Sequence, residues 1–321
     1  MCYASLMMNK SAWKPMQQNA LSGPGIGLVV PCFHVVHEID IQRICLGEHM
    51  AKSRKRILVM ITAMVLVCTF VLGQEKSPAP SKNTKLKVLV YSNTAFYRHP
   101  EIPKINRWLV LLGNENGIEA DVTEHWKDLG PAELASYDVL VLNNANELDK
   151  VIPEAQRKSV EDWFSKGKKG IVGIHATLVH QTNWPWLHQL GGCDFNSDSL
   201  FLKAKVIVDP AAKNHPAVKG QPPEFFYQAD WTNHDRSVTG LPGFKVLMRV
   251  DESTYDPVRD YFKTRNGKAM GKDHPIAWTN EPQSGGRFFY TELGHDLPSL
   301  NTAFARQHIL EGIKWAGGDS K

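Results

Sequence analysis

The chain has 321 residues, 42% of them hydrophobic and 22% charged, with 37 basic against 33 acidic side chains. Seven of the basic and three of the acidic residues precede Gln74, so the remainder carries 30 of each sign and no net charge, which argues against the clustered positive surface that a nucleic-acid partner demands. Four of the five cysteines also precede Gln74; Cys193 alone cannot form an internal disulfide, so stability must come from a core that about 235 residues readily supply.

Taken in chain order, the first informative segment is the basic cluster KSRKR, Lys52–Arg56, followed by the uncharged apolar run ILVMITAMVLVCTFVLG, Ile57–Gly73. Val71 and Gly73 offer a cleavage point before Gln74. This pattern predicts a signal peptide over 50–73 and a domain exported to the periplasm or beyond the cell. The competing reading is an uncleaved anchor, because the run approaches the roughly 20 residues that span a bilayer; only by that route would the protein meet a membrane. Cys68 lacks the small preceding residue of a lipoprotein signal. Met1–His49 has neither helical nor strand periodicity, which points to Met50 as the start and to 1–49 as an over-long start or disordered extension. Residues 74–85, QEKSPAPSKNTK, are a polar linker.

From Leu86 short apolar runs alternate with amphipathic segments, the pattern of βαβ units. LKVLVY (Leu86–Tyr91) predicts a buried strand. PKINRWLVLLGNENG (Pro103–Gly117) predicts a helix opened by proline and closed by glycine, and IEADVTEH (Ile118–His125) a second strand. YDVLVLNN (Tyr137–Asn144), a helix over Pro153–Gly167 and GIVGIH, ending at His175, continue the series. Continuous apolar strands with crossover helices imply a parallel sheet covered on both faces. Further on, strands are predicted at Phe201–Val208, Glu224–Asp230, Phe244–Val250, Pro275–Glu281 and Gly286–Gly294, joined by turns and partly antiparallel. A helix over Thr302–Trp315 closes a single domain, 86–317. Ligands of such sheets bind beyond the carboxyl ends of the strands, which singles out SNTAFYRHPEI, NNANELD and HATLVH.

The blocks FYRHPEI, GKKGIVGIHATLVH, LGGCDF, NHPAV, VDESTYDP and HPIAWTNEPQSGGRFFYTELGH, in this order over about Lys85–Gly317, resemble the trehalose-utilisation (ThuA-like) family. The resemblance implies a flavodoxin-like, class I glutamine amidotransferase-like three-layer sandwich with a mostly parallel central sheet, in agreement with the βαβ pattern. In amidotransferases of that fold a cysteine stands on a strained elbow after the fourth strand. Here that place falls to His175, and Cys193 lies in a Gly-Gly turn outside it, so glutamine hydrolysis is not expected. The family commonly has a histidine a few residues after its GG.F block, where this chain has Asn196 and Asp198.

Among the candidate residues, His175 at a strand end and His295 in the following loop of the last strand are expected to move protons, with Glu292 to orient or share them. His99, with Arg98 and Glu101, is placed by the resemblance at the pocket rim. Asp230, Trp231 and His180 are further candidates for substrate binding. Each has a bland alternative: an exposed loop histidine, a strand-end histidine satisfied by carbonyls, a helix cap. His215 and His274 precede prolines and read as turn formers, and His234 is a weaker candidate. Phe96, Tyr97, Trp184, Trp186, Trp231 and Tyr255 fall in or beside predicted loops, where aromatic faces either pack on a sugar ring or fasten the loops to the sheet.

These residues suit an exported enzyme of carbohydrate catabolism. Its partner would be a small-molecule sugar or keto-sugar, handled by acid–base chemistry with isomerase, lyase or hydrolase outcomes. The alternative is a non-catalytic sugar-binding or assembly module of the same fold. A divalent metal on the same histidines and carboxylates is compatible with the residue types, although their spacing is none of the recognised zinc motifs. A homo-oligomer is also compatible with the sequence.

Overall fold

Residues 85–319 are described by a computed structural model; the expected signal peptide, the segment before it and all but the last residue of the linker lie outside the described residues. The elements in chain order are β1 (Lys87–Tyr91), α1 (Ile102–Glu115), β2 (Glu119–Thr123), β3 (Val139–Asn143), α2 (Glu154–Ser165) and β4 (Gly170–Ile174). They continue with α3 (Pro185–Gly191), β5 (Phe195–Val208), β6 (Glu224–His234), β7 (Phe244–Asp251), β8 (Pro275–Asn280), β9 (Arg287–Thr291) and α4 (Ala303–Ala316). No helix of the described residues is long and apolar enough to cross a membrane.

One nine-stranded sheet runs in the order β2-β1-β3-β4-β9-β8-β7-β5-β6. β2 to β9 in that order are parallel, and from β9 through β8, β7, β5 and β6 every pairing is antiparallel. The parallel half is the part predicted from the sequence; its inner strands β1, β3, β4 and β9 are apolar and buried on both faces because residues alternate between them, whereas the edge strand β2 is largely exposed. Val88, Val90, Val139 and Val141 pack with Trp108, Leu109 and Leu112 of α1 and Ile309 and Ile313 of α4. Leu89, Tyr91, Leu140, Leu142 and Ile171 face the opposite way, against Val160, Trp163 and Phe164 of α2. The sandwich therefore has three layers.

The antiparallel half differs from expectation in ways that matter for the site. β5 begins at Phe195 rather than Phe201, and β6 continues to His234, past Asp230 and Trp231, which sit inside the strand instead of closing it. Register shifts between Phe195 and Ser197 and between Asp198 and Phe201 kink this long hairpin, as bulges do. β9 ends at Thr291, so Glu292, Gly294 and His295 belong to the loop that follows it.

Helix α4 lies so close to the sheet that β4 needs a residue without a side chain. A Cβ on Gly170 would come 2.5 Å from the carbonyl carbon and oxygen of Ala316, and backbone cannot yield as a flexible side chain would. Gly170→Ala is expected to cost about 1–3 kcal/mol of stability, read as a lowered urea midpoint with the slope kept; an unchanged midpoint would contradict this packing.

Candidate functional site

The site is assembled at the carboxyl ends of β1, β4 and β9, with β6 brought across them. After β1 the loop carrying Phe96, Tyr97 and His99 is held by one amide, Asn146. Its Oδ1 accepts from the Phe96 and Tyr97 N–H groups at 3.1 and 3.3 Å, and its Nδ2 donates to the Tyr97 carbonyl at 2.7 Å. His99 is thereby tucked inward and buried. β4 ends at Ile174 and runs directly into His175, whose backbone is left-handed at φ 54°. That conformation is costly for a residue with a side chain and is retained where a site needs it.

Neighbouring groups secure this elbow: the Tyr290 hydroxyl donates to the His175 carbonyl at 2.8 Å, and the Ile174 N–H donates to the Thr177 hydroxyl at 3.1 Å. The β9 loop passes close by. Gly294, at φ 141°, has no room for a Cβ, which would meet Ile174 Cγ2 at 2.4 Å. This close passage sets His295 opposite His175.

The imidazoles converge. His175 Nε2 stands 3.1 Å from His99 Nε2, 3.4 Å from His295 Nδ1 and 3.6 Å from Asp230 Oδ2, while His295 Nδ1 is 2.7 Å from the same carboxylate oxygen. The other nitrogen of His175, Nδ1, lies 3.0 Å from the Glu292 carbonyl. A carbonyl only accepts, so Nδ1 carries the proton and the neutral ring presents a lone pair at Nε2. One ring nitrogen from each of the three histidines lies within 4.8 Å of the others, a spacing that can hold a metal ion.

Burial and mutual repulsion set the charges. Burial, then the neighbouring His175 and His295, push His99 down to about 2. Burial likewise lowers His175 against the pull of Asp230. Burial would raise Asp230, but His175 and His295 outweigh it and hold the carboxyl below its ordinary value. Burial also works to lower His295, yet the Asp230 carboxylate prevails and raises it.

These groups form the floor of a cavity of about 450 Å³, within the size range of small-molecule sites. Its walls include Phe96, Tyr97, His180, Phe195, Tyr261 and Phe262. Phe96, Tyr97 and Tyr261 are more than half exposed, which leaves flat apolar faces open at the mouth. His180 meets Phe96 edge-on with centroids 4.5 Å apart. Asp198 and Asn196 also line the cavity, in the neighbourhood where the family commonly has a histidine. Asp198 pairs with Arg259 at 2.5 Å; burial nevertheless pushes its carboxyl up to about 7 against that guanidinium.

Of the residues singled out in the sequence, His99, His175, His180, Asp230 and His295 line this cavity. Trp231 points the other way from its neighbour Asp230, as strand alternation requires; it is fully buried, with its indole N–H donating to the Leu202 carbonyl at 3.1 Å. Arg98 turns outward to Glu124 at 2.6 Å, and Glu101 pairs with Lys104 at 2.6 Å.

Glu292 lies behind the floor, fully buried, accepting from the Thr232 N–H. Burial drives its carboxyl well above the usual range despite that bond. Its side chain thus holds β6, and its carbonyl holds His175. His274 does similar work from outside the cavity, bridging Glu252 Oε1 and the Thr232 carbonyl at 2.8 Å each. Trp184 and Trp186 border a separate depression beside α2. Arg259, Tyr261, Phe262 and Arg265 are not singled out by the sequence, where the aromatic and basic run VRDYFKTR is their one visible signal; Asn146 lies in NNANELD, a loop that the strand-end rule does pick out.

A parallel sheet of order 2-1-3-4 between two helical layers, with a left-handed elbow after its fourth strand, is a flavodoxin-like three-layer sandwich, here with an imidazole on the elbow. Cys193 is buried outside the cavity, its thiol raised well above the usual range by burial.

Within that class, the chain belongs to the ThuA family, described as trehalose utilisation, whose profile matches residues 87–316. Among solved structures it is similar to a ThuA-like protein from Bacteroides uniformis, at 21% identity and TM-score 0.61 over 74% of this chain and 94% of that one. A ThuA-like protein from Parabacteroides merdae aligns at 17% identity and TM-score 0.54, over 73% and 90% of the two chains. No curated protein matches the chain significantly.

Proposed function

We propose that this is an exported enzyme of carbohydrate use that binds a sugar or keto-sugar in the aromatic-walled cavity and acts on it by acid–base chemistry at the floor. The observation that carries the reading is the convergence of His99, His175, His295 and Asp230 on one open cavity. Aromatic faces suit the C–H faces of a pyranose ring, and imidazoles and carboxylates suit its hydroxyls. On a keto-sugar, the His175 Nε2 lone pair takes the proton from the carbon beside the ketone. The C–H electron pair becomes the enolate double bond, and the negative charge passes to the carbonyl oxygen. His295, whose hold on a proton is strengthened by the Asp230 carboxylate, gives that oxygen a proton. The basic cluster and apolar run over Lys52–Gly73 support export.

The reading is tested on purified, signal-cleaved protein with a panel of disaccharides and keto-glycosides, following thermal shift and product formation together. A rise in melting temperature on ligand binding with turnover of at least one keto-sugar is expected. A shift without turnover on any of them would instead establish a binding module, and neither shift nor turnover would remove carbohydrate from the account.

A further inference from the structure

We propose that His99, His175, His295 and Asp230 form the binding site of a divalent transition-metal ion. The spacing of the donor atoms is the first argument. Two ligands each about 2.1 Å from an ion, at angles between octahedral and tetrahedral, stand roughly 3.0–3.4 Å apart. His175 Nε2 lies 3.1 Å from His99 Nε2 and 3.4 Å from His295 Nδ1, both within that range, while Asp230 Oδ2, 3.6 Å from His175 Nε2 and 2.7 Å from His295 Nδ1, would join the set by a shift of a few tenths of an ångström.

The second argument is the arrangement of donors and acceptors. His175 spends its proton on the Glu292 carbonyl, so Nε2 offers a lone pair into a group whose other members are two imidazoles and a carboxylate. Asp230 Oδ1, of that carboxylate, is buried and has no partner among the described residues. Ring protons can link these groups only in pairs, His99 with His175 and His295 with Asp230; a cation would take one nitrogen from each of the three histidines at once.

The third argument is the surrounding support. A metal-binding imidazole ordinarily donates its other N–H to a carbonyl or carboxylate that fixes its orientation, and His175 does so at 3.0 Å. The ligands come from three strand-end loops and from β6, which is held against the Glu292 carboxyl by the Thr232 N–H. They are fixed by the fold rather than by one flexible segment. Three imidazoles and one carboxylate favour zinc, iron, manganese, cobalt or nickel over magnesium or calcium, which prefer all-oxygen sets. The open cavity above leaves coordination positions for water or substrate, the arrangement of catalytic rather than structural sites.

The inference deepens the reading under Proposed function and rests on it for one consequence only. With an ion held by the three imidazoles and Asp230, these residues would place it on the cavity floor, and it would supply Lewis-acid polarisation of a ketone oxygen. The binding claim itself is independent of any substrate.

The test uses untagged, signal-cleaved protein stripped with chelator, dialysed against zinc or manganese and assayed for bound metal and melting temperature. One ion per chain and a raised melting temperature are expected, with affinity at least tenfold weaker in His99→Ala and in Asp230→Asn. His125→Ala, at an exposed histidine outside the cavity, should bind like the parent. Should either ligand variant fail to fold, the ligand-field absorption of the cobalt-loaded parent reports the imidazole-rich environment without it. Substoichiometric metal in the parent, or full affinity in both ligand variants, would overturn the proposal. Turnover by a parent protein that binds no ion would overturn the proposal while leaving the acid–base reading intact, and one bound ion with no sugar turnover would support it while sinking that reading.

Discussion

His175→Ala is expected to lower turnover of a keto-sugar by about 10²–10⁴-fold while changing ligand affinity far less. The ring at 175 is the hub of the floor, within 3.1–3.6 Å of His99, His295 and Asp230, whereas the walls that would grip a sugar are Phe96, Tyr97, Tyr261 and their neighbours. Removing the imidazole takes away the lone pair that the Glu292 carbonyl aims into the cavity, and leaves those walls in place. The left-handed backbone at 175 also becomes no easier for alanine than for histidine, so the elbow gains nothing by relaxing. Steady-state kinetics beside calorimetric titration separates the two effects. An equal loss of affinity and turnover would mean that His175 only binds.

Asp230→Asn is the second large effect, expected at about 10²–10³-fold in turnover. The carboxylate accepts from His295 at 2.7 Å and lies 3.6 Å from His175, so it fixes one ring and stabilises its charged form. An amide of the same shape offers no negative charge, and its NH₂ can face the ring the wrong way. Stability should fall with it. His175 and His295 outweigh burial and hold the Asp230 carboxyl below its ordinary value, so its ionised form stabilises the fold above the unfolded value, and removing one partner of a buried pair leaves the other uncompensated. The melting temperature of metal-free Asp230→Asn should therefore lie below that of the parent near neutral pH, with the difference shrinking as the pH falls through the carboxyl's folded value. An unchanged or raised melting temperature would contradict this pairing.

The sequence carried the parallel half of the sheet because uninterrupted apolar strands and amphipathic helices encode it locally. The rule that ligands meet the carboxyl ends of such strands led directly to the loops of His99, His175 and His295. The antiparallel half was harder to read. Asp230 reaches the floor from within β6 because the kinked β5–β6 hairpin crosses the sheet ends, and a register shift leaves no periodic trace. The same alternation that aims Asp230 inward sends Trp231 into the core. Arg98 and Glu101 share a loop with His99 but turn outward to partners of their own, a choice set by tertiary contacts such as the Asn146 clasp. Tyr261 and Arg265 sit in an irregular segment whose place depends on that hairpin.

A sugar substrate is expected to lie directly on the four-residue floor. A crystal structure of the protein soaked with a disaccharide or keto-glycoside tests this most directly. The expected result is a sugar oxygen within about 3 Å of His175 or His295, or within about 2.5 Å of an ion held by them, with the ring against the aromatic wall. A sugar bound elsewhere on the molecule, with this cavity holding only solvent, would contradict it.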